Sequence, residues 1–222
     1  EITCRDWSSD VCSSDLDYYK INIAVSLGGT KLSIAIIFPD KSICEILPPI
    51  NWRMKYGIDD NEENSDILKN NIANEICNII DFICDISPYK LELIGKIGIS
   101  CKGPLNIENG EKILGKGRKL TTMPFKDYKL ENELKNFFKN KYSQDFEIDL
   151  VYDGIAAILG EISCSGTIPN EKNGSAIIIG SGIGIGIVED GKIILEELGS
   201  FGRFLVHVQD AENSSKYNYE FI

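Results

Sequence analysis

Histidine is nearly missing from this chain: among 222 residues, only His207 is present. Seven cysteines occur, but no two of them form a C-x-x-C pair. Both facts argue against a zinc cluster, which needs several Cys or His ligands at close spacing. No apolar run approaches about 18 residues, the length a membrane-spanning helix requires. No basic segment followed by an apolar one opens the chain, so no secretory signal is visible. Basic residues are outnumbered, 23 against 34 acidic ones, and the net charge is −11. Nucleic-acid binding needs a basic face, so this balance argues against it. Also missing are the phosphate loop G-x-x-x-x-G-K-[ST] and a G-x-G-x-x-G between strand and helix, which argues against P-loop and dinucleotide folds. What is present is 43% apolar content, ordinary for a globular protein.

Residues 6–16 (DWSSDVCSSDL) resemble a translated sequencing-library adapter, since one back-translation reproduces a common adapter in frame. Residues 1–16 are therefore expected to have no function and no settled structure. Four acids and one base go with them, leaving a net charge of −8 and five cysteines. An odd number of cysteines at irregular spacing fits reduced, buried thiols in a cytoplasmic protein. A catalytic role stays open for Cys101, which follows a strand.

Apolar alternation predicts a strand over 19–25, a tight turn at Leu27-Gly28-Gly29-Thr30, and strands over 32–38 and 42–47. Residues 51–63 are polar and read as a loop. From Ser65 the period becomes helical, with Leu68, Ile72, Ile76, Ile79, Ile80 and Ile83 on one stripe that ends before Pro88. Residues 91–100 are nearly continuously apolar, which predicts a strand buried on both faces. A loop with a weak hairpin covers 108–124. Leu130, Leu134, Phe137, Phe138 and Tyr142 mark a second amphipathic helix. A strand over 146–151 leads into a short helix over 155–162. Strands over 175–179, 183–188, 192–196 and 204–208 follow.

Strand-turn-strand-turn-strand, then helix, occurs twice in outline. Ser26–Thr30 and Gly180–Gly184 occupy matching turns. This predicts two related α/β lobes facing a cleft, over 17–150 and 151–222, with the second lobe incomplete.

Glycines in such turns let a ligand approach the backbone, whose N–H groups can serve an anion. Thr30 and Ser181 add hydroxyls. Either turn alone is explained by hairpin geometry, but their paired placement favours a polyphosphate held between lobes. Asp153 lies where a strand ends and a helix begins. Ligands gather at the carboxyl ends of strands in open α/β sheets, so Asp153 suits a general base acting on a hydroxyl. Capping the helix that starts at Gly154 is the plainer explanation.

The segments Ser26–Lys31 (SLGGTK), Gly98–Pro104 (GISCKGP), Tyr152–Glu161 (YDGIAAILGE) and Gly180–Val188 (GSGIGIGIV) stand in the order and spacing of the ROK proteins. Residues 18–204 thus resemble sugar kinases and related repressors of the actin-like ATPase superfamily. The resemblance implies an α/β fold of two ribonuclease-H-like lobes with ATP and sugar between them. It implies Asp153 as the base, and Gly28, Gly29, Thr30, Lys31, Gly180, Ser181 and Gly182 as contacts to the ATP phosphates. It places Gly103, Tyr152, Ser200 and Arg203 at the substrate. ATP and Mg²⁺ are the implied cofactors, without zinc and without an assigned protein metal ligand. The implied partner is a sugar or sugar derivative, in a bacterial cytoplasm, with no membrane or nucleic acid and with a homodimer left open.

Some positions depart from the family's pattern. Ser26 stands where an Asp usually helps to hold the magnesium water shell. Tyr152 replaces an Asn that contacts the sugar. In Gly199–Arg203 (GSFGR), Ser200 and Arg203 replace the Glu and His of the sugar motif. The family's zinc-binding cysteine cluster does not occur before Ile222. Two readings follow. One is an ATP-dependent kinase of a sugar or related polyol, with Arg203 suited to an anionic acceptor. The other is a non-catalytic sugar sensor or transcriptional regulator on the same fold, favoured by the loss of the metal-holding carboxylate.

Overall fold

The computed structural model describes residues 20–40, 42–45, 49–57, 65–86, 91–103, 105–116, 125–162, 173–179, 183–194, 205–209 and 217–221. Strand β1 (Ile21–Leu27) pairs antiparallel with β2 (Lys31–Ile37) through the Gly28–Thr30 turn. β3 (Ile43–Glu45) and the short β4 (Ile50–Asn51) both pair with β2. Helix α1 (Trp52–Tyr56) follows at once, inside the stretch expected to be loop. Sequence periodicity could not show a helix of five residues. Local capping makes it: the Asn51 side chain accepts the Met54 N–H, and Gly57 closes the helix at φ 62°.

Helix α2 (Ser65–Ile86) carries the chain back to β5 (Ile94–Cys101), which is preceded by a 3₁₀ turn at Leu91–Leu93. β5 runs parallel to β1. A hairpin, β6 (Leu105–Glu108) and β7 (Glu111–Leu114), turns at Asn109-Gly110, both with positive φ. Helix α3 (Leu130–Tyr142) leads to β8 (Glu147–Tyr152), parallel to β5. The sheet order is β3-β2-β1-β5-β8, with β4 on β2. β8 runs across the 150/151 boundary expected from the sequence.

The core lies between this sheet and the helices α2 and α3. Ile21, Ile23, Val25 and Leu27 of β1 point to one side and pack in one cluster with Ile72, Ile76 and Ile80 of α2 and Leu134 and Phe138 of α3. Burying each large apolar side chain contributes about 1.5–3 kcal/mol. The two helices are joined at Tyr142, whose hydroxyl reaches the Cys77 carbonyl at 3.1 Å and Asp81 at 3.0 Å. β5 is not buried on both faces as expected. Ile94, Ile97, Ile99 and Cys101 are buried, whereas Lys96 and Gly98 are exposed. At Gly98 and Ser100 its other face lies under an open groove of about 430 Å³.

Helix α4 (Asp153–Gly160) begins where β8 ends. A second sheet of β9 (Gly174–Ile179), β10 (Ile183–Glu189) and β11 (Lys192–Ile194) is antiparallel, in the order β11-β10-β9. β12 (Leu205–Gln209) pairs with β13 (Tyr217–Phe221), a strand that the sequence pattern did not suggest. Among the described residues no helix is long and apolar enough to cross a membrane.

Candidate functional site

Three parallel strands end level along one edge of the first sheet. Leu27 of β1 is in register with Cys101 of β5, and Cys101 with Tyr152 of β8. The next residues, Gly28, Lys102 and Asp153, therefore leave the sheet side by side. Lys102 stays tied to β1, since its N–H donates to the Leu27 carbonyl at 3.3 Å. Two strand spacings, about 10 Å, separate the outer two backbones. The sheet thus brings a Gly turn, a cation and a carboxylate to the carboxyl ends of its strands, where ligands bind in open α/β folds.

The turn is closed by the Gly28 N–H, which donates to the Lys31 carbonyl at 2.9 Å. Lys31 opens β2, with an exposed side chain and a backbone paired to Asn51. Gly103 follows Lys102 at φ 104°, a conformation that side-chain-bearing residues rarely adopt. Ser26 is exposed near the end of β1.

Asp153 is the first residue of α4 and is half-buried. Burial pushes its carboxyl above the usual carboxylate range, while the Gly154 N–H and the charge of Lys102 pull it back down. Its Oδ1 accepts the Gly154 N–H at 2.8 Å, but α4 begins at Asp153 itself with Tyr152 as its N-cap, so the expected cap of a helix starting at Gly154 is not formed. Capping alone needs no burial and no neighbouring cation. A carboxyl raised by burial and facing a lysine suits a proton acceptor.

β10 packs on the start of α4 through backbone. A Cβ on Gly184 would stand 2.8 Å from Asp153 Oδ1, and one on Gly186 would stand 1.9 Å from the Gly154 carbonyl oxygen. A Cβ on Gly154 would meet the Ile185 carbonyl at 2.5 Å. The Gly-Ile alternation of β10 therefore turns glycine toward α4 and isoleucine away from it. The same contact fixes Tyr152. Its ring is buried, its hydroxyl takes a hydrogen bond from the Ile185 backbone, and burial pushes its phenol up to about 12. Cys101 is fully buried, and burial raises its thiol well above the ordinary value, so it is a neutral packing group rather than a nucleophile.

Gly28, Gly29, Thr30, Lys31, Gly103, Tyr152 and Asp153 are thus brought to one edge of the sheet or to its junction with β10. Gly180, Ser181 and Gly182, which connect β9 to β10, lie outside the described residues, as do Ser200 and Arg203. Sequence reasoning missed Lys102 as a site residue, although it lies within the GISCKGP segment. It also missed Trp52 and Arg53, which reach the turn from a helix the polar pattern concealed.

No protein-family model matches the chain, and no curated protein sequence does. Solved structures do match, and at these low identities they show the fold alone: an α/β fold shared with sugar kinases. A protein of Cytophaga hutchinsonii described as a sugar kinase matches over 83% of this chain, with a TM-score of 0.59 and 15% identity. The same fold occurs in structures described as ROK-family proteins. A ROK glucokinase of Streptomyces griseus, solved with glucose and AMPPNP, matches over 84% of the chain with a TM-score of 0.54 and 16% identity. A ROK transcriptional regulator, homologous to the MLC protein of E. coli, matches over 90% with a TM-score of 0.61 and 20% identity. The chain spans about half the length of these three, covering 54%, 51% and 45% of them.

Proposed function

We propose that this chain is part of a ROK-type kinase that transfers the γ-phosphoryl group of ATP to a hydroxyl of a sugar or sugar derivative. One observation carries the reading: the Gly28–Thr30 turn and the half-buried Asp153 share the edge where β1, β5 and β8 end, with Lys102 between them. Asp153 accepts the proton of the attacking hydroxyl, and the Lys102 charge favours its ionised form. Backbone N–H groups of the turn receive phosphate oxygens. Gly180, Ser181 and Gly182 belong to the same phosphate site in this reading, and Gly103, Tyr152, Ser200 and Arg203 to the acceptor side.

Mg²⁺ would enter bound to the nucleotide phosphates and water, since this ion keeps several waters and needs few protein ligands; with Asp153 engaged as the base, Ser26 offers a hydroxyl near the turn and no carboxylate is assigned to the ion. When bound, it neutralises charge on the transferring phosphoryl group. Phosphoryl transfer otherwise asks for positioning more than covalent chemistry.

Ser26 supports a second reading. A hydroxyl in place of the usual carboxylate suits a sugar sensor that does not turn over, and a ROK regulator shares the fold. Phosphate transfer from ATP to a panel of neutral and acidic sugars, by a chain extended to the length of its structural relatives, separates the two. The kinase reading expects transfer to at least one acceptor and expects Ser26→Asp to tighten Mg²⁺. Nucleotide binding without transfer to any acceptor would leave the sensor.

A further inference from the structure

Three successive carbonyls of the Gly turn are held by two successive residues of α1. The Trp52 indole Nε1–H donates to the Gly28 carbonyl at 3.0 Å, and the Arg53 Nε–H to the Gly29 carbonyl at 3.1 Å. The Trp52 backbone N–H donates to the Thr30 carbonyl at 3.2 Å. Trp52 is fully buried, and the Arg53 guanidinium lies 5.3 Å from the centre of its ring. The helix that carries them is itself fixed. Asn51 and Gly57 cap it, and the buried Glu75 of α2 binds both Lys55 and Tyr56.

A Gly-Gly peptide is the segment least able to choose its own orientation, because glycine adopts either sign of φ. Flipped one way it presents a carbonyl oxygen, and flipped the other way an N–H. In a trans peptide these two point in opposite directions, and the described residues contain no cis bond. With the Gly28 and Gly29 carbonyls held toward α1, the N–H groups of Gly29 and Thr30 point away from it. Carbonyl oxygens turned to that side would repel an anion, whereas N–H groups attract one.

We infer that Trp52 and Arg53 are positioning residues for phosphate binding: they fix the peptide orientation of the Gly28–Thr30 turn so that N–H groups, not carbonyls, meet the anion. The inference rests on the phosphate role proposed above for that turn.

The test uses the chain extended to the length of its structural relatives, with Trp52→Phe and Arg53→Met variants, and AMPPNP and inorganic tripolyphosphate as probes in calorimetry. Each variant removes one donor and should weaken both probes roughly three- to tenfold, the usual weight of one hydrogen bond. Arg53→Lys, which keeps a donor, should recover most of the loss. In the free protein, the Gly29 and Thr30 amide resonances should shift or broaden in the variants that lose a donor, a signature that mere loss of stability does not produce. Unchanged affinities together with unchanged Gly29 and Thr30 amides would overturn the inference, and Arg53→Met carries the test alone if Trp52→Phe does not fold. Failure of the unmodified chain to bind either probe would overturn the phosphate reading itself, and this inference with it.

Discussion

Asp153 holds two opposed demands at the scale of one residue. Its folded pKa is raised above the ordinary value of 3.8, chiefly by burial. The stability linked to that group is therefore present in full below about pH 3.8 and lost as the pH rises through the folded pKa. At neutral pH the ionised, half-buried carboxylate is a cost to the fold. Asp153→Asn should accordingly melt higher than the parent at pH 7, with the difference shrinking toward acid, as a thermal series across pH would record. The same change should lower turnover by roughly a hundredfold to ten-thousandfold, the reach of a general base. Lys102 works against the burial, so Lys102→Met should move the acid limb of the pH–rate profile to higher pH. A limb that stayed in place would show that the ammonium does not sense the carboxylate.

At the scale of elements, the contact between β10 and α4 is made of backbone. Gly186 and Gly154 leave no room for a methyl group, since the obstructing atoms are carbonyls and not movable side chains. Gly186→Ala should therefore destabilise by about 3 kcal/mol through overpacking, read as a lowered urea midpoint. Gly98→Ala is the matched control. A Cβ there meets nothing within 4 Å, so the unfolding free energy should stay within about 0.5 kcal/mol of the parent value. Both glycines sit in strands rich in isoleucine, and composition does not tell them apart. Their neighbours do.

At the scale of the whole molecule, the described structure has a well-filled side and an open one. Helices α2 and α3 fill one face of the first sheet, and the groove of about 430 Å³ lies over the other. Residues 1–16 lie outside the described residues, and they resemble adapter sequence. Deleting them should leave the melting temperature unchanged. A fall of several degrees in the shortened chain would show that they pack on the domain after all.

The sequence by itself determined the elements whose apolar period is long enough to read. The stripe through Ile72, Ile76 and Ile80 forced α2, the stripe through Leu134 and Phe138 forced α3, and the alternation in β1 and β2 made a hairpin about Gly28–Thr30. It also put Asp153 at a strand end, because a strand must stop where its alternation gives way to helical period. Only tertiary structure decided the rest. The parallel register of β1, β5 and β8 made neighbours of Gly28, Lys102 and Asp153, which lie far apart along the chain. Five residues of α1 became a helix because caps and a buried indole hold them, a cause with no period to detect. Tyr152 and the glycines of β10 owe their places to a backbone contact between β10 and the start of α4 that no local pattern encodes. Local pattern acts within a few residues, whereas register and close approach arise when distant segments compete for the same core.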